Sequence, residues 1–110
     1  MTNKQLQSLN QHYAQISSDA FLVSYSEALF LPVLDALEFY YKKVNTLKYP
    51  EENKLEFDYV KKMVKENIDL GKSLLDLPSN NKNRKIKTRD FFNRYGEILI
   101  YVEEIAGWNH

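Results

Sequence analysis

The chain has 110 residues, 44% hydrophobic and 27% charged, a balance that excludes a disordered segment and predicts one domain around one core. Fifteen basic and fifteen acidic residues cancel, which excludes a global field drawing the whole chain to nucleic acid or to an acidic partner. Cysteine is absent, which excludes disulfides, thiolate catalysis and thiolate metal sites and fits a reducing compartment.

The opening MTNKQLQSLNQ lacks the apolar core of a secretory signal, so a cytoplasmic location is expected. Thr2 and Gln5 have the spacing of a capping box, in which each side chain satisfies the other's orphan amide, and they predict a helix start near Thr2. Leu6, Leu9, Tyr13, Ile16 and Ala20 alternate steps of three and four, a narrow seam for one neighbour. Gln5, Ser8, His12 and Gln15 form the wet side. Ser17-Ser18-Asp19 is a cluster of capping residues that predicts the end of the first helix and the start of the second.

The segment Ala20 to Tyr41, AFLVSYSEALFLPVLDALEFYY, is the most apolar of the chain. Its polar residues Ser24, Glu27, Asp35, Glu38, Lys42 and Asn45 follow helical steps, with only Leu31 interrupting them. A helix with so narrow a polar stripe has to be wrapped by others. Its length matches a membrane span, but each of Glu27, Asp35 and Glu38 would cost roughly 2.5–3.5 kcal/mol at a bilayer centre, so no membrane partner is expected. Pro32 lacks an amide hydrogen and clashes with the carbonyl of Ala28. Leu31 is a poor cap, so a kink within one helix running to about Leu47 is predicted rather than a break.

Tyr49-Pro50-Glu51-Glu52 is a helix start, with proline at the first position and two acids at the positive pole. The third helix is predicted from Pro50 to about Leu77. Its apolar face is Phe57, Val60, Met63, Val64, Leu70, Leu74 and Leu75, with Asn67 and Gly71 on or beside it. The other side carries the i,i+4 pairs Asp58/Lys62, Lys62/Glu66, Lys65/Asp69 and Lys72/Asp76. Pro78 to Lys87, PSNNKNRKIK, reads as a loop by composition, and the last helix is predicted to open at Thr88. Phe91, Phe92, Tyr95, Ile98, Leu99, Val102, Ile105 and Ala106 form its apolar face. Gly96, at a cost of about 1 kcal/mol relative to alanine, predicts a close helix contact, and Gly107 ends the helix.

No chemical motif rises above this framework. Glu27, Asp35 and Glu38 share one side of a helix, but the Glu-x-x-His partners of a two-metal bundle site are absent from the sequence. His12 stands on a polar side without an acid partner. Phosphate loops, nucleophile elbows and His/Glu metal-helix motifs are likewise absent, so a catalytic role and a cofactor are not expected. Two features suit binding. Lys82, Arg84, Lys85, Lys87 and Arg89 fall within eight residues without an acid, a patch for nucleic acid or an acidic protein against the plainer reading of a solvated loop. Tyr40 and Tyr41 are adjacent, so one narrow helix face cannot bury both, and Ile100 and Tyr101 lie off the centre of the last helix's face. Exposed residues of these types suit an interface, including a homodimer, although the rim of a core is the readier explanation for any one of them taken singly.

The expected fold is an all-α, up-and-down bundle of four helices, or five if the second breaks at Pro32. The expected function is a non-catalytic protein-interaction module that binds another protein. Small bundles of this size include bacteriocin immunity proteins, phage-encoded inhibitors and adaptor subunits, a likeness of size and architecture alone. Nucleic-acid binding through Lys82–Arg89 is the first alternative, and a small-ligand or metal-dependent enzyme at the Pro32 kink the second.

Overall fold

The computed structural model describes residues 2–17, 22–46, 51–78 and 81–106. Among these, four helices run up and down: α1 Asn3–Ser17, α2 Leu22–Thr46, α3 Lys54–Leu75 and α4 Lys82–Ala106. A single 3₁₀ turn, Glu51–Asn53, leads into α3. The cap cluster at Ser18-Asp19, the Tyr49-Pro50 start signal and the Gly107 stop lie outside the described residues, as do the side chains of Ser24, Glu27, Ile16 and Ile105.

The capping box forms: the Thr2 amide donates to Gln5 Oε1 at 2.8 Å, and the Gln5 amide donates to Thr2 Oγ1 at 3.2 Å. The seam of α1 buries Leu6, Leu9 and Tyr13. Helix α2 stays one helix through Pro32. It buries Leu29, Phe30, Val33, Leu34, Ala36, Leu37, Tyr40 and Val44, while Leu31, Asp35, Glu38, Lys42 and Asn45 remain exposed. The interruption at Leu31 is thus resolved by leaving that leucine on the wet stripe.

Helix α3 turns Phe57, Val60, Val64, Asn67, Ile68, Gly71 and Leu74 inward. Leu75, expected in the core, is 53% exposed, because it lies about 100° round the helix from Leu74, which takes the buried place in that turn. Ile68 takes a core place that the sequence reading left unassigned. Gly71 is where α2, α3 and α4 close on one another: a Cβ there would stand 2.7 Å from Phe91 Cε2 and 3.0 Å from Leu34 Cδ1. The neighbouring Asn67 donates through Nδ2 to the Phe91 carbonyl at 3.1 Å, while its buried Oδ1 meets no donor among the described residues.

The predicted loop over 78–87 is corrected. Helix α4 begins six residues before Thr88, at Lys82. Asn81 is its cap, with Oδ1 accepting the Asn83 amide at 2.9 Å. Three residues after that cap, the Arg84 guanidinium donates from Nη1 to the carbonyls of Leu77 at 2.6 Å and Leu74 at 3.2 Å. Leu74 lies in the last turn of α3 and Leu77 just beyond it, where helical partners run out and the dipole favours a cation. The first turn of α4 therefore caps the last turn of α3. Composition cannot display that reciprocity.

Candidate interaction surface

Of the sequence-selected aromatics, Tyr40 is withdrawn from the surface: it is fully buried, a correction to the expectation that it stands at an exposed face. Its place follows from Val33, Leu37 and Val44, which it joins in helical steps at the centre of the buried face. Its hydroxyl accepts a hydrogen bond from Asn10 Nδ2 at 3.0 Å, and Asn10 Oδ1 in turn accepts from the Tyr95 hydroxyl at 2.5 Å. A third tyrosine, Tyr13, donates to the Phe92 carbonyl at 2.7 Å and sets its ring edge-on to Tyr95 at 5.2 Å. Burial pushes the Tyr40 hydroxyl up to about 12, against the lowering pull of Asn10, and raises Tyr95 further, with Tyr40 and Tyr13 adding to the shift. Burial raises Tyr13 as well, opposed by a hydrogen bond with the Gly96 backbone. This network ties α1 to α2 and α4, and its protons are held too tightly for acid–base work near neutrality.

Tyr41, about 100° further round the helix, is half-buried. It lines an open groove of about 300 Å³ between α2 and α3 with Glu38, Lys42, Lys65, Ile68 and Lys72. Two of the three lysines face acids: Lys65 lies 3.4 Å from Asp69 and Lys72 lies 3.9 Å from Glu38. The expected Lys65/Asp69 pair forms within α3, whereas Lys72 reaches across to α2. Both pairs are exposed and hold little energy.

The basic cluster divides once it is placed on a helix. Lys82, Lys85 and Arg89 lie on the outer side of α4, and Lys87 is about 140° from Lys82. Arg84 is turned inward and occupied with the α3 carbonyls. His12 is exposed. Among the described residues, His, Cys, Asp and Glu form no group of three or more with metal-binding geometry, and no helix is long and apolar enough to cross a membrane.

The aromatic surface that the fold assembles lies on α3 and α4. Tyr59 is 52% exposed and packs edge-on with Tyr101, ring centroids 5.6 Å apart. One turn before it, Leu55 is 84% exposed. Met63, one turn after Tyr59, and Leu70 continue the line half-buried. The sequence reading found Tyr101 but missed Leu55 and Tyr59. The spacing Leu55-Tyr59-Met63 was the available signal, a second apolar line beside the core face of α3. Ile100, 58% exposed, stands about 100° from Tyr101 on the outer side of α4. The four selected residues thus fall in different places: one in the core, one in the α2–α3 groove, and two on neighbouring sides of α4. No family model, curated protein or solved structure matches this chain.

Proposed function

We propose that the chain is a non-catalytic interaction module that docks a protein partner on the edge of the α3–α4 pair, around Leu55, Tyr59 and Tyr101. The observation that carries most weight is Leu55, which is 84% exposed one turn before the exposed Tyr59, whose ring packs edge-on with the half-buried Tyr101. Single exposed leucines are common, but one aligned with Tyr59, Tyr101 and Met63 makes a continuous apolar strip. Tyrosine rings supply large contact area at low entropic cost, which makes such a pair a natural anchor. Exposed Glu52, Glu56 and Glu97 lie within one turn of the strip and favour a partner with a basic rim. An inhibitor, immunity or adaptor role is the finer form of this reading, supported by size and architecture alone.

The test is capture by the immobilised chain from a cell lysate, with Leu55→Asp and Tyr59→Ala as controls. A protein retained by the parent chain at moderate salt and lost by both variants supports the reading. Retention that survives both substitutions, or a captured species that proves to be nucleic acid eluting steeply with salt, overturns it.

A further inference from the structure

The outer side of α4 carries a pattern that points to a second copy of this chain. Lys82, Ile86, Arg89, Asn93, Glu97 and Ile100 are all exposed and follow steps of 4, 3, 4, 4 and 3 along one stripe, and the sequence continues it with Glu104 after a further step of 4. The step pattern reads the same from either end, with Asn93 at its centre. The residue types are complementary about that centre. Ile86 and Ile100 stand seven residues to either side, both large, apolar and open, at 61% and 58% exposure. Arg89 and Glu97 stand four to either side with opposite charge, and Lys82 and Glu104 repeat that opposition at the ends.

A helix with this pattern matches itself when turned end for end. We infer that α4 is the interface of a homodimer, in which the outer stripes of two α4 helices pack antiparallel about a two-fold axis at Asn93. In such an isologous contact each residue meets the partner's residue for which the two numbers sum to 186. Ile86 packs on the partner's Ile100, Arg89 reaches the partner's Glu97, and Asn93 faces its own copy. Within one helix Arg89 and Glu97 are about 12 Å apart along the axis, and Ile86 and Ile100 about 21 Å, so neither pair is served internally. Asn93 faces its own copy at the axis between the charged pairs, where a self-paired polar side chain favours this register at a cost in affinity. Two isoleucines per copy make a modest interface, so the dimer belongs to the weak, salt-sensitive class. The Leu55–Tyr59 strip lies on the neighbouring side of the bundle and shares Glu97 at its edge, so Arg89→Glu, which lies off that strip, is the charge reversal that reads the dimer alone.

Sedimentation equilibrium of the full chain, from about 5 to 500 µM at low salt, tests this, with circular dichroism confirming the fold of each variant. A monomer–dimer equilibrium is expected. Arg89→Glu and Glu97→Arg each raise its dissociation constant about tenfold or more, and the double variant returns it to near the parent value, because the swap rebuilds both pairs across the axis. Asn93→Asp, which sets two like charges against each other, weakens the dimer, and Asn93→Ile tightens it. A chain monomeric throughout this range, a dimer indifferent to these substitutions, or single charge reversals not rescued by the double would each overturn the inference.

Discussion

Among the described residues two glycines stand inside helices, and they close two different kinds of seam. At Gly71 the approaching atoms are the Phe91 ring and a Leu34 methyl, both packed in the apolar heart of α2, α3 and α4. At Gly96 the approaching atom is the Tyr13 hydroxyl oxygen, which would lie 2.8 Å from an added Cβ. The first seam is set by volume, because close-packed rings have nowhere to move. The second is set by hydrogen-bond geometry: Tyr13, Asn10, Tyr40 and Tyr95 place α1 on the bundle through polar atoms that all have partners. A seam held by volume specifies how close two helices come, whereas a seam held by paired polar groups also specifies their register.

Alkali should separate the two seams most strongly. Burial holds the Tyr40 and Tyr95 hydroxyls above their ordinary value of about 10, so their share of stability is complete below that pH and is lost as pH rises above it, for Tyr40 through about 12 and for Tyr95 beyond that. The melting temperature is therefore expected to be unaffected by these groups below pH 10 and to fall between 10 and 12. Tyrosinate absorbance from Tyr40 and Tyr95 should appear only with loss of the circular-dichroism signal. Ionisation of all tyrosines at pH 10 in the folded chain would contradict the buried network.

On the apolar side, Phe91→Ala is expected to cost about 3–5 kcal/mol in denaturant unfolding, since the ring is fully buried and packs from α4 against both α2 and α3. Gly71→Ala should cost about 1–3 kcal/mol, with overpacking outweighing the helix propensity that alanine brings. Were Gly71→Ala stabilising, the close approach of α3 to Phe91 would be wrong.

The smallest effects belong to the polar seam taken one atom at a time. Tyr13→Phe removes one hydroxyl bond and should cost about 1 kcal/mol. Gly96→Ala alone should shift stability by less than about 1 kcal/mol, as gained propensity offsets the displaced hydroxyl. The informative quantity is their coupling. In the Gly96→Ala background Tyr13→Phe should cost less than it does alone, and strict additivity would mean that Tyr13 does not rest against Gly96.

Much of the bundle was legible in the sequence because helical periodicity reports burial directly. The polar stripe of α2, the Thr2–Gln5 box, the inward face of α4 and the close contact at Gly96 were all read from spacing. The start of α4 was not legible. The segment PSNNKNRKIK has almost no apolar content, and its helix depends on the Asn81 cap and on Arg84 reaching carbonyls of another helix. The site was less legible than the fold. Tyr40 and Tyr41 differ by one residue in the chain and by about 100° around the helix, and the helical steps from Val33 and Leu37 that favour Tyr40 were in the sequence, whereas its Asn10 partner on α1 was not legible there.

By itself, then, the sequence determined which residues must leave water, because that depends on the period of the side chains along each helix. It also carried the end-for-end symmetry of the α4 stripe, a property of residue order alone. Only the tertiary structure decided how polar groups are shared between helices: Asn10 between Tyr40 and Tyr95, Arg84 on the end of α3, Lys72 on Glu38. Burial is a property of one side chain and its solvent, whereas a hydrogen bond requires two groups to arrive at one place, and their meeting is fixed only when the helices have packed.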